Sequence, residues 1–206
     1  MSTGSELELV VAAAQAEHTA ALLGLFERSG TPCHCQYWHF IGDKNAWLDR
    51  LFHAPEQNRA AFVESLASAS AELRGVVALQ AGQAVGWLKL TPAERVPKLY
   101  DQRLYRGLPV LSGAREGVLT VGCLLVDEEL RRRGVARALV KHAVWLAETR
   151  GARCIEAFPR RAELAGPAEL WTGPFDIFVQ AGFKIVHDFA PYPVLRYDVT
   201  GTRPTS

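Results

Sequence analysis

No charge of one sign dominates this sequence. Across 206 residues, 23 Lys and Arg stand against 22 Asp and Glu, a formal net charge of +1, so no global field draws in nucleic acid or an acidic membrane and any anion site must be local. Cysteine is scarce: Cys33, Cys35, Cys123 and Cys154 are the four present, and in a chain this long they read as reduced thiols rather than a disulfide framework. Long hydrophobic runs are missing as well. The longest early one, Leu9 to Ala14, is far too short to span a bilayer, and it follows Glu6 and Glu8 where a secretory leader carries Lys or Arg. A soluble cytoplasmic protein without membrane or nucleic-acid partners is expected. What remains is an ordinary globular mixture, 49% hydrophobic and 22% charged, enough for one domain with a real core.

Leu7 to Ala13 is short and β-branched and suits a strand; Glu17 to Arg28 has helical spacing through Ala20, Leu23 and Phe26, and Ser29-Gly30-Thr31-Pro32 stops it. Residues 33 to 72 form a helical and aromatic insert. Cys33 to Phe52 shows no period, whereas Pro55 opens a helix carrying Ala60, Phe62, Val63 and Leu66 that fades into the small residues Ser65 to Ala71. Val76 to Leu79 and Val85 to Leu90 flank Ala81-Gly82 as a hairpin. Thr91 to Gly117 is too long for an ordinary connection and reads as a candidate lid. Val118 to Val126 is nearly all apolar, as a strand covered on both faces should be. Val135 to Thr149 is an amphipathic helix closed by Gly151. Cys154 to Phe158, a short helix Phe175 to Gln180, and strands Lys184 to Phe189 and Val194 to Val199 complete residues 1–199. Residues 200–206 read as a loose tail. Strands alternating with helices give an α/β or α+β class.

The informative segment runs from Val126 through Asp127-Glu128-Glu129-Leu130-Arg131-Arg132-Arg133-Gly134-Val135-Ala136 to Arg137. A buried strand stops, a polar turn follows and a helix begins, leaving unpaired amides at the positive end of its dipole. Glycine at 134 lets backbone approach a phosphate closely, and four arginines add cationic donors. A diphosphate suits this turn better than a carboxylate.

This segment resembles the GNAT (GCN5-related N-acetyltransferase) superfamily, whose Gln/Arg-x-x-Gly-x-Gly/Ala signature matches Arg131, Gly134 and Ala136. Val126 to Leu130 matches the stretch before it, with Glu128 where proline is usual. Val85-Gly86 and Ala181-Gly182-Phe183 fit the same order of elements. The resemblance implies a mixed, mostly antiparallel central sheet of about seven strands flanked by helices, and an enzyme that transfers acetyl from the cosubstrate acetyl-CoA to an amine. It further implies that Leu124, Leu125 and Val126 bond the pantetheine arm and that the amides of Arg132, Arg133, Gly134, Val135, Ala136 and Arg137 hold the pyrophosphate.

Amine acetylation needs a neutral amine, an oxyanion donor and an acid for the leaving thiolate. Some members of the superfamily carry a glutamate where Thr120 stands here. Others use a fifth-strand glutamate, which points to Glu156 as the base, its carboxyl raised by desolvation. The tyrosine acid of the family is replaced by Phe178, leaving Tyr192, Tyr197 or solvent, and the family's asparagine is replaced by Trp171-Thr172-Gly173-Pro174. A non-catalytic acyl-CoA sensor is the alternative that these departures raise.

For the acceptor, Trp38, His39, Trp87, Tyr100 and Tyr105 are candidate walls, and Asp43, Glu94 and Asp101 could hold a cationic amine. The near-neutral chain favours a small-molecule amine over a basic protein tail. Cys33-His34-Cys35 with His39 has zinc-ligand types, but it lacks the second pair that closed zinc sites use, so no metal is expected. Buried thiols among Trp38, Phe40 and Trp47, or a pocket wall, are the readings that remain. The Cys33-x-Cys35-x-x-Trp38 pattern also resembles one branch of the same superfamily. Exposed sheet edges make a homodimer a further expectation.

Overall fold

The computed structural model describes residues 8–68, 72–161 and 171–199. Among these one sheet of seven strands runs in the order β1-β2-β3-β4-β5-β7-β6. The strands are β1 (Val10–Ala13), β2 (Val76–Gln80), β3 (Gln83–Pro92), β4 (Val118–Val126), β5 (Cys154–Ala157), β6 (Lys184–His187) and β7 (Val194–Asp198). Only β4 and β5 are parallel; the other neighbouring pairs are antiparallel. The mixed, mostly antiparallel sheet anticipated from the sequence is present. Leu7, in the expected first strand, and the expected tail at 200–206 lie outside the described residues.

Alternation along the central strands sorts two faces. On one, Val76, Ala78, Leu88, Leu90, Val121 and Leu124 pack under α5 (Val135–Thr149). That helix buries Val135, Leu139, Val140, Ala143, Leu146 and Ala147 and leaves Arg137, Lys141 and Glu148 exposed. Gly86 lets it come close: a Cβ there would stand 2.6 Å from Val135 Cγ1.

The second face is covered in two parts. Helices α1 (Thr19–Arg28) and α3 (Pro55–Ala67) bury Leu22, Leu25, Phe26, Phe62 and Leu66 around Trp87. Phe62 meets the Trp87 ring edge-on at 5.6 Å, and Trp87 is 0% exposed. It is core, not the pocket wall expected from sequence.

Residues 91–117 cover the other part. Rather than a free loop, they fold into 3-10 turns at Ala93–Arg95 and Pro109–Leu111 and a short helix α4 (Pro97–Tyr100). Leu99, Tyr100, Tyr105 and Leu111 bury against Val118, Cys154, Phe158 and Val194. Their irregular spacing gives no period, so the burial is invisible in sequence. The aperiodic stretch after Cys33 hides a further helix, α2 (Lys44–His53), which buries Trp47 alone and so carries no apolar stripe. Asp43 caps it, Oδ1 accepting from the Ala46 amide at 2.8 Å. Glu94 and Asp101 are exposed.

Candidate active site

The turn into α5 has the character read from its sequence. Arg132 (φ +61) and Gly134 (φ +88) both adopt left-handed backbone, and Gly134 is the N-cap of α5. The first helical amide with a carbonyl partner outside α5 proper is that of Ala138, which donates to Gly134 at 3.0 Å. From Arg132 to Arg137 no amide makes a hydrogen bond of ordinary geometry to a described residue. A Cβ on Gly134 would meet nothing within 4 Å. Arg131 pairs with Glu128 at 3.2 Å, and the side chains of Arg132, Arg133 and Arg137 stand exposed. Free amides, an open approach and cationic rims fit an anionic phosphate group.

Strands β4 and β5 diverge. Their pairing covers only Val118 to Val121 opposite Cys154 to Ala157, whereas β4 continues to Val126. The divergence starts at a bulge: Lys89 pairs with Cys123 and Leu90 with Val121, which leaves Gly122 extra. Bulges of this kind re-aim groups beside active sites. Trp38 grips it, Nε1 donating to the Gly122 carbonyl at 2.9 Å with its ring 5.6 Å from Trp171. Leu124 donates its amide to the Trp171 carbonyl at 2.7 Å. By alternation, Leu124 and Val126 turn their main chain toward the open side and Leu125 turns toward β3.

Glu156 lies opposite Thr120 and is 3% exposed. It is not the isolated carboxylate the sequence suggested. Arg196 donates to Oε1 through Nη2 at 2.6 Å and Nε at 3.2 Å, and Tyr100 donates to Oε2 at 2.7 Å. Because the single phenolic proton is committed to the carboxylate, Thr120, 2.5 Å from the Tyr100 oxygen, must be the donor of that contact. Burial and the Glu156 charge push the Tyr100 phenol up, which keeps it a donor. Arg196 Nη2 also donates to the Val110 carbonyl, so residues 91–117 brace the group from above. Phe178 is buried in the core against Phe183. Tyr197 donates to Glu148 of α5 at 2.6 Å, while Tyr192 sits between β6 and β7 under Arg160, 5.8 Å away.

The acceptor candidates separate. Trp38, Trp87 and Tyr105 are packed; Tyr105 lies 4.8 Å from Phe158, and burial lifts its phenol to about 12. His39 instead faces a cavity of about 380 Å³ whose floor is Lys89 and Thr91 of β3. Sequence reasoning missed Lys89, Arg74, Arg95 and Arg196. Lysine within the apolar run Trp87-Leu88-Lys89-Leu90 was the available signal, since lysine is rarely buried without purpose. Cys35 is buried, and burial pushes its thiol up; the hydrogen bond to Cys35 raises that of Cys33. Both are protonated thiols, and among the described residues no group of three or more His, Cys, Asp or Glu is placed to hold a metal. No described helix is long and apolar enough to cross a membrane.

An open sheet with diverging central strands and an amide-lined turn at the next helix fits the acyltransferase class. The family model described as "Acetyltransferase (GNAT) family" matches residues 35–165, and the chain belongs to that family. Solved structures agree on the fold. An N-acetyltransferase from Staphylococcus aureus Mu50 superposes with a TM-score of 0.54 at 14% identity, over 94% of this chain and 99% of the other. The PaiA N-acetyltransferase of Thermoplasma acidophilum, solved with coenzyme A, gives 0.52 at 11%, over 93% and 99%. A GCN5-related N-acetyltransferase from Kribbella flavida gives 0.54 at 19%, over 92% and 97%. No curated protein matches the sequence.

Proposed function

We propose that the protein acetylates the amine of a small molecule, with acetyl-CoA held by the α5 turn and the open edge of β4. The observation that carries this is the run of amides from Arg132 to Arg137 that no described residue takes, beside open space at Gly134. In this reading those amides and the arginines around them take the diphosphate, and the outward main chain of Val126 with the Leu124 carbonyl takes the pantetheine arm, the Leu124 amide being spent on the Trp171 carbonyl. The neutral amine attacks the thioester carbonyl, a C–N bond forms, the C–S bond breaks, and the coenzyme leaves as thiolate.

Glu156 is the proposed proton sink for the amine. Both its oxygens are engaged, so the proton reaches it along the Thr120–Tyr100 chain rather than directly. The Arg196 ion pair holds this carboxylate in place, which orients the phenol and the hydroxyl. No tyrosine stands at position 178, and a thiolate leaves without strong acid assistance, so Tyr192 or solvent supplies the last proton. An amine panel with acetyl-CoA, read by thiol release, tests the reading: turnover above background in the wild type, lost in Glu156→Gln across the pH range, is the expected result. Full activity in Glu156→Gln removes Glu156 from the mechanism, and no turnover with any amine removes the reading.

A further inference from the structure

The cavity over β3 has a chemistry that amine acetylation alone does not require. Lys89 is 2% exposed, forms part of the cavity lining and makes no hydrogen bond or ion pair with any described residue. The acid-type groups facing it are the thiols of Cys35 and Cys123, and Arg74 adds a like charge. Burying an ammonium without a counter-ion is costly, so an unpaired one at a cavity floor marks a place where an anion is to arrive. His39 adds a second polar group in want of a partner, its Nε2 being buried and unbonded.

The rim has the same sign. Arg74 and Arg95 both spend part of their guanidinium on Glu72, Arg74 Nη1 at 2.7 Å and Arg95 Nη2 at 2.5 Å. Each guanidinium has five N–H donors, so donors remain on both. Three cations thus share the space with one carboxylate already bracketed by two of them. The strand register fixes where this lies: Lys89 is opposite Cys123 and Thr91 opposite Thr120. The floor is therefore one strand away from the Gly122 bulge and the Thr120–Tyr100–Glu156 chain, on the face away from α5. About 380 Å³ suits a metabolite.

We infer that this cavity is the acceptor subsite and that the acceptor is an amine that also bears an anionic group, a carboxylate or a phosphate, bound by Lys89 with Arg74 and Arg95. The inference rests on the acetyl-transfer reading and narrows its substrate class. It replaces the cationic or aromatic acceptor suggested by the sequence, because the carboxylates proposed for that purpose, Asp43, Glu94 and Asp101, do not line the cavity.

Matched pairs test it: an α-amino acid against its carboxamide, and an aminoalkyl phosphate against the corresponding amino alcohol, each with wild type and Lys89→Met. The charged member of at least one pair is expected to show a KM at least tenfold below its neutral partner, and Lys89→Met to abolish that preference while leaving the Kd for CoA within twofold. Which pair responds tells carboxylate from phosphate. Equal or better turnover of the neutral members, or a preference that survives Lys89→Met, overturns the inference and leaves acetyl transfer standing. If no amine is turned over, the acetyl-transfer reading falls instead; calorimetric binding of the amino acid or the aminoalkyl phosphate to wild type but not to Lys89→Met still supports the anion subsite, and binding of neither overturns it.

Discussion

Lys89→Met should make this protein more stable, and by an amount that the structure sets. Burial lowers the Lys89 pKa from 10.5 to about 8, the thiols of Cys35 and Cys123 opposing that shift and Arg74 adding to it. At pH 7 the lysine is charged in both the folded and the unfolded chain. The folded protein therefore carries a destabilisation of about 3 kcal/mol, from a difference of roughly 2.5 pKa units at 1.36 kcal/mol each. Methionine keeps the unbranched apolar stem and removes the charge. In a domain of this size the gain corresponds to a rise of about 6–12 °C in melting temperature. The sign with pH follows from linkage. Between about 8 and 10.5 the unfolded state binds the extra proton, so wild-type stability rises there as pH rises. The advantage of Lys89→Met accordingly shrinks to about 1 kcal/mol by pH 10. Thermal and urea unfolding of both proteins at pH 7 and pH 10 measure it. A variant no more stable than wild type at pH 7, or a gain that does not change with pH, refutes the argument that Lys89 is an unpaired buried cation.

Gly134→Val places a β-branched residue at φ +88, costing about 1–2 kcal/mol, and puts a side chain into the open approach to the amides; calorimetry should show CoA affinity down more than tenfold, and unchanged affinity means the diphosphate binds elsewhere. Tyr100→Phe leaves Glu156 Oε2 without its donor and should lower stability by about 1–3 kcal/mol while reducing kcat more than it changes KM, measured by denaturation and steady-state assay; an unaltered kcat takes Tyr100 out of the proton path. His39, held neutral to about 3 chiefly by burial, with the Lys89 charge adding to it, binds its proton only on unfolding as pH falls below 6.5. Wild type should therefore lose about 2 kcal/mol between pH 7 and pH 5 from this group, a loss absent in His39→Phe when urea curves are compared at both values.

Much of this protein was legible in the sequence because the relevant physics is local or periodic. The α5 stripe from Val135 to Ala147 and the apolar run of β4 follow from a repeating pattern, since periodicity and one-sided burial are the same fact. The α5 turn was equally accessible, because Gly134 and its neighbouring arginines adopt their geometry and charge within a few residues. Tertiary structure alone decided the rest. Glu156 read as a desolvated carboxylate until Arg196, 40 residues on, and Tyr100, from an aperiodic loop, closed on it. Trp87 and Tyr105 offered aromatic surface to any reading, and only packing placed them in the core. Lys89 acquired its meaning from the absence of a counter-ion among the described residues, which depends on what every packed segment brings to one point. A strand's sequence tells which way its side chains alternate; what they face is fixed by contacts between residues far apart along the chain.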